Sequence, residues 1–196
     1  MSKHFLRDYV TFVSGINPTR AKMENSVFYD QNDFMNDYYL DRESVINNYD
    51  KSFKLEEGDV VISLALQQAA IVSKGNHGKI LTLNFIKVVF ENDLLDKYYF
   101  VYLFNSYLDI KRQKERMLQG TGAVYKIPVK SLNDLEIPII SIEEQKKIGE
   151  AYFKMLYLHS CLNKYKDLTE KCVGSVLEES IKGGKQKWVS TKINRN

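Results

Sequence analysis

Cysteine, proline, tryptophan and histidine are scarce in this 196-residue chain: two, three, one and three. Cys161 and Cys172 have no CxxC partner, which excludes a disulfide miniprotein and a cysteine-built zinc site and fits a reducing compartment. His4, His77 and His159 lie far apart, with neither HExxH spacing nor the HxE…CxxC pattern of a metal-dependent deaminase. No GxGxxG or GxxxxGK[ST] phosphate loop is present, and no GxSxG elbow. The sequence therefore nominates no catalytic residue and no metal ligand. No apolar run approaches the roughly 20 residues of a membrane span. The start, MSKHFLRDYV, lacks the apolar stretch of a signal peptide, so a cytoplasmic protein without membrane contact is expected.

What is there is ordinary for a globular protein: 44% hydrophobic and 27% charged residues, with a formal net charge of +3. The distribution of charge is more telling than its sum. Residues 1–140 hold 17 basic and 18 acidic side chains, residues 141–183 hold seven of each, and residues 184–196 hold four basic and none acidic. The main part is no general polyanion binder, so nucleic-acid contact has to come from local patches. One lies at 109–130, where Lys111, Arg112, Lys114, Arg116, Lys126 and Lys130 stand against Asp109 and Glu115.

The chain reads as an α+β protein: a globular domain with mixed β-sheet and short helices over 1–140, one long helix over 141–183, and a flexible basic tail over 184–196. Residues 5–13, FLRDYVTFV, space apolar residues as a short helix. Residues 24–52 are polar and read as loops and short strands. DVVISLA (59–65), AAIVS (69–73) and ILTLNFIKVVF (80–90, broken near Asn84) read as a strand meander. Residues 94–118 show helical periodicity and read as one amphipathic helix stopped by glycine at 119–122. Pro128 keeps Ile127 extended, residues 131–135 form a helical turn, and EIPII (136–140) a last strand.

From Ser141, whose pairing with Glu144 is a capping-box pattern, the character changes. Apolar residues recur at Ile148, Tyr152, Met155, Leu158, Leu162, Tyr165, Leu168, Cys172 and Val176, a mean step of 3.5 residues and hence the heptad period. A helix of some 42 residues would be ~60 Å long, too long for a small domain to cover. Its seam asks for a second helix, most simply from another chain, and these nine positions are the expected dimerisation surface. The glycine pair at 183 and 184 should end the helix.

The order of segments carries a resemblance. A Gly-Thr turn at Gly120 and Thr121 is followed by Ile127, Leu132, Leu135, Ile137, Pro138, Ile139, Ile142, Glu144, Gln145 and Ile148. This resembles the turn, IPxP segment, EQxxI segment and long helix of the specificity subunits of Type I restriction-modification systems. The motif order extends over 5–183, although Ile140 stands where the family's second proline would fall. Members of that family commonly carry two recognition domains and two long helices; one of each is found here. The resemblance implies a half-length DNA specificity subunit with no catalytic activity. As a homodimer it would read a bipartite palindromic duplex target and position adenine methyltransferase subunits, with or without a restriction subunit. S-adenosylmethionine, ATP and Mg²⁺ would bind those partners, and this chain would bind no cofactor.

Candidate DNA contacts follow from chemistry. Gly120, Thr121 and Gly122 offer turn amides to a phosphate, beside Arg112, Arg116, Tyr125 and Lys126; a helix cap with a solvated basic face is the plainer alternative. Thr19, Arg20 and Lys22 form a second basic cluster, or an ordinary exposed loop. Gln67 and Gln68, at the bend between two strands, could bond the edge of adenine, or simply face water. Lys74 and Asn76 sit on a polar tip that could enter a groove, or form a plain hairpin turn. An oligomerising adaptor that binds no DNA is the competing reading of the same helix.

Overall fold

The computed structural model describes residues 4–18, 26–40, 54–118 and 127–193, with side chains as far as 182. The candidates Thr19, Arg20, Lys22, Gly120, Thr121, Gly122, Tyr125 and Lys126 lie outside the described residues. Two compact units divide after Leu156, Met1–Leu156 and Tyr157–Asn196. In chain order the elements are β1 (His4–Phe5), a 3₁₀ turn (Leu6–Asp8), β2 (Val10–Ser14), β3 (Phe28–Tyr29), α1 (Gln31–Tyr38), β4 (Val60–Ser63) and β5 (Gln68–Ile71). A second 3₁₀ turn (Lys74–Asn76), β6 (Ile80–Leu81), β7 (Phe85–Phe90), α2 (Lys97–Ser106), α3 (Leu108–Met117), α4 (Val129–Leu132), β8 (Glu136–Ile137) and α5 (Ile142–Ile193) follow. The result is an α+β fold.

An antiparallel sheet in the order β2-β7-β4-β5 forms the frame of the first unit. Its inner strand β4 is buried on both faces, which is why it reads as a continuous apolar run rather than an alternating one. Val60 and Ile62 point into a core built with α2, α3 and β8, while Val61 points into a second core with Tyr29, Phe34 and Phe85. β5 is one of the two edge strands, and its free side is blunted. The Asn105 amide accepts from Ala69 N–H at 2.7 Å and donates to Ala69 O at 2.8 Å, as a neighbouring strand would. Ser73 N–H is taken by the buried Asp37 carboxylate, whose pKa burial pushes up while hydrogen bonds from Ser73, Tyr29 and Asn76 restrain the rise.

Four departures from the sequence reading have physical reasons. Residues 5–13 form β1, a turn and β2 instead of a helix: Val10 is buried and Phe12 packs on the core, the period of two, and β2 pairs with β7 along its whole length. The polar stretch 24–52 contains α1, whose reciprocal cap is Asp30 with Asp33, at 2.9 and 3.1 Å, in place of the more usual Glu at the third position. The helix over 94–118 is two helices, because Tyr107 is extended (φ −68°, ψ 124°) and lets α3 fold back beside α2. The backbone of α5 continues through Gly183 and Gly184 to Ile193; neither glycine is held in a turn, and only their weak helix propensity, about 1 kcal/mol each, opposes the helix.

The first turns of α5 belong to the globular unit. Ser141 caps the helix as predicted, its Oγ accepting from Glu144 N–H at 3.4 Å, but the Glu144 carboxylate accepts from Ser141 Oγ at 2.9 Å, side chain to side chain, in place of the reciprocal backbone bond of a capping box. Gln145 is fully buried, donates to Leu94 O and Ile140 O, both at 2.9 Å, and accepts from Asp96 N–H at 2.9 Å. Gly149 lies where a Cβ would come within 2.9 Å of Tyr98 and Tyr99 atoms. The EQxxI segment thus acts as a rivet between α5 and the start of α2. In the second unit, Leu158, Leu162, Tyr165, Leu168 and Val176 are each more than half exposed, and Cys161 and Cys172 are free thiols on the surface. Among the described residues no helix is long and apolar enough to cross a membrane.

Candidate nucleic-acid interface

The strand register brings four segments to one end of the sheet. β2 ends, β4 ends, β5 begins and β7 begins there, since Ser14 pairs with Ile86, and Ser63 pairs with both Phe85 and Gln68. The segment 15–18 and the turns at 64–67 and 82–84 therefore emerge side by side. Ile16 N–H donates to Leu81 O (2.9 Å), Leu83 N–H to Ile16 O (3.1 Å) and Leu64 N–H to Asn84 O (3.0 Å). Gly15 is required by this approach, because a Cβ there would overlap the Thr82 carbonyl.

The 64–67 turn is held from beneath. Gln67 N–H donates to Ser63 O at 2.8 Å, and Leu66 N–H to Ser63 Oγ at 3.3 Å. Gln67 is left-handed, φ 55°, a conformation that costs a non-glycine residue roughly 1–2 kcal/mol. Its carbonyl is gripped by Lys114, whose ammonium donates to Gln67 O at 2.8 Å and Phe104 O at 2.6 Å and lies 4.1 Å from the Phe104 ring centroid. Lys114 is only 5% exposed. Burial, with Lys111 nearby, lowers its pKa to about 8. Phe104 is in the last turn of α2, where unpaired carbonyls and the negative end of the helix dipole take the place of a counter-ion. In the sequence Lys114 reads as part of a basic face; the fold uses it as an internal strut.

That strut sets α3 against the turn, and Gln113 fixes its other flank, donating to Glu136 O and accepting from Glu136 N–H at 2.9 and 2.8 Å. The opposite face of α3 exposes Lys111, Arg112, Glu115 and Arg116. Arg112 lies 3.5 Å from Asp109, both more than half exposed, a pair weak enough to open to a phosphate. Arg112 and Arg116 also border an open depression of about 630 Å³ that Asp109, Asp134 and Glu136 share, so the positive face is narrower than sequence counting suggests. Gln68 is half-buried at the start of β5 and Gln67 half-buried at the turn.

The remaining described candidates lie elsewhere. Lys74 and Asn76 follow the far end of β5 from Gln68, so the two groups do not form one surface. Asn76 is buried, its amide donating to Asp33 O at 3.3 Å, so it holds α1 and is not a groove-facing tip. Lys74 is exposed beside Glu56, Glu57 and His77. On the helix, Tyr152 is buried against Tyr102 and within 3.2 Å of Ser106 Oγ, and Ile148 packs on the same core. Both are used inside their own unit, and the exposed part of the apolar seam begins at Met155. The sequence missed Leu66 and Leu83, 43% and 52% exposed at the two turn tips; the signal available at 64–67 was an apolar residue in a turn with no glycine, proline or asparagine.

No protein-family model and no curated protein matches the sequence. Solved structures do. A chain from a study of complex assembly and conformational transition of the type I R-M system superposes with a TM-score of 0.61 at 18% identity, over 92% of this chain and 44% of that one. The HsdS subunit from Thermoanaerobacter tengcongensis superposes with a TM-score of 0.52 at 17% identity, over 82% of this chain and 38% of its own. The chain has the fold of a Type I specificity subunit and spans less than half the length of either structure.

Proposed function

We propose that the chain is a DNA sequence-specificity subunit of a Type I restriction-modification complex, without catalysis of its own. The observation that carries the reading is the correspondence of fold over 92% of the chain. Two features support it: amides at Gln67 and Gln68 with the turns at 15–18 and 82–84 at one end of the sheet offer base-edge donors, and the exposed cations Lys111, Arg112 and Arg116 of α3 offer phosphate donors. The cations set position on the duplex, and the turns carry the sequence information. Adenine methyltransferase subunits, and a restriction subunit where one is present, bring S-adenosylmethionine, ATP and Mg²⁺; this chain binds none of them.

The second unit supplies spacing. Leu158, Leu162, Tyr165, Leu168 and Val176 are an exposed apolar series at coiled-coil spacing. Pairing them with the same face of a second copy gives a two-fold dimer, and two identical recognition units related by a two-fold axis read inverted half-sites. The test is selection from a random duplex pool by the full chain, with its mass in solution measured alongside. A dimer that enriches a bipartite palindrome, with affinity falling steeply as salt rises, supports the proposal. A dimer that enriches nothing leaves the adaptor reading in its place. The doubly substituted Leu162→Asp, Leu168→Asp chain is expected to be monomeric and to lose the bipartite enrichment.

A further inference from the structure

The end of the sheet contains a conflict between what its turns need and what they are made of. Turns favour glycine, asparagine, aspartate and proline, yet residues 64–67 are Leu, Ala, Leu and Gln, with the left-handed position filled by Gln67. The neighbouring turn carries Leu83. Leu66 and Leu83 are 43% and 52% exposed, and neither belongs to a core. The conformation persists because the surroundings over-determine it: Ser63 holds the amides of Leu66 and Gln67, Asn84 holds Leu64, and Lys114 holds the Gln67 carbonyl. A strained turn locked at four points, presenting an apolar tip, is the mark of a surface kept for a partner rather than for folding.

The occupant is set by what lies alongside. The β4 and β7 strands are neighbours, so the turns that carry Leu66 and Leu83 leave the same end of the sheet as half-buried Gln67 and Gln68. Through Lys114 the same turn is joined to α3, whose outer face exposes Lys111, Arg112 and Arg116. An apolar contact beside a side-chain amide matches the major groove of a duplex, where the only apolar group on a base edge is the C5 methyl of thymine. We propose that Leu66 and Leu83 read thymine methyl groups in the target, so that this turn pair specifies T·A positions by apolar contact while Gln67 serves an adjacent base edge. The inference rests on the DNA-reading proposal above and goes further by naming the chemical group that is read.

The experiment uses the full chain and the duplex enriched from a random pool. Each thymine of the enriched target is replaced in turn by deoxyuridine, which lacks only the C5 methyl, and affinity is measured for the unaltered chain, Leu66→Ala and Leu83→Ala. Loss of one buried methyl corresponds to about a four-fold weakening. The expected result is such a weakening at one or more thymines, with the thymine-over-uracil difference abolished in Leu66→Ala or Leu83→Ala while their melting temperatures stay unchanged, as exposed positions allow. An enriched target that contains no thymine, a target whose thymines are all replaceable without loss, or a difference that survives in both variants overturns the inference and leaves DNA reading intact. Failure to enrich any sequence overturns both.

Discussion

Gly149 offers a test in which two ordinary effects oppose each other. In a helix, glycine to alanine gains up to about 1 kcal/mol through the backbone. At Gly149, however, the added Cβ would lie 2.7 Å from Tyr98 Cβ, 2.8 Å from Tyr99 N and 2.9 Å from Tyr98 C. These are backbone and Cβ atoms of α2, not the far ends of flexible side chains, so the two helices have to move apart. Overpacking of that kind costs about 1–3 kcal/mol, and the net expectation for Gly149→Ala is a loss on the order of 1–2 kcal/mol. For a chain of this size that is a fall of about 2–8 °C in melting temperature. Gly174 is the matched control: same helix, nothing within 4 Å of an added Cβ. Gly174→Ala should strengthen the helix by about 0.5–1 kcal/mol. Near-ultraviolet circular dichroism follows the tyrosine-rich junction and far-ultraviolet ellipticity follows the helix. If Gly149→Ala proves as stabilising as Gly174→Ala, the close seating of α5 on α2 is refuted.

Three further outcomes are expected. Lys114 has a folded pKa of about 8, below its ordinary 10.5, so the unfolded chain binds the extra proton and stability rises with pH between those values; relative to Lys114→Met, the unaltered chain should gain about 2 kcal/mol between roughly pH 7.5 and 9.5, read by urea denaturation, and a flat difference would contradict the buried strut. Gln145→Ala leaves Leu94 O, Ile140 O and Asp96 N–H without their partner, and should cost about 2–4 kcal/mol; a change under about 0.5 kcal/mol in the urea midpoint analysis would show that the rivet is not needed. Arg112→Ala with Arg116→Ala should lower duplex affinity evenly across sequences and reduce the salt slope by about one to two charges, measured by anisotropy titration at several salt concentrations; an unchanged slope would remove α3 from the phosphate contacts.

The sheet was legible because DVVISLA and the stretch 80–90 are β-branched runs bounded by turn residues, and their break near Asn84 is where β6 and β7 separate. The Ser141 cap was equally readable, since it depends on two residues three apart. Residues 5–13 were not, because an apolar pattern at 5, 6, 9, 10, 12 and 13 satisfies a helix and a strand alike, and only pairing with β7 decides between them. The break at Tyr107 goes with Lys114 reaching back to Phe104 O, a contact ten residues away that no local periodicity records. The same holds at the candidate interface. Gln67 and Gln68 were visible as amides at a bend, whereas the burial of Asn76, and the use of Ile148 and Tyr152 inside the first unit, depend on neighbours distant in sequence. The EQxxI segment was read through resemblance, and its physical role emerged only when Gln145 was seen bonded to two carbonyls and an amide.

The most direct test of the central claim is a whole-genome methylation map of cells carrying an adenine methyltransferase subunit that the chain binds, with and without this chain. The account predicts a new methyladenine motif, bipartite and palindromic, that appears only when the chain is present. No new motif, with the methyltransferase intact and bound to the chain, would contradict a role in DNA specificity.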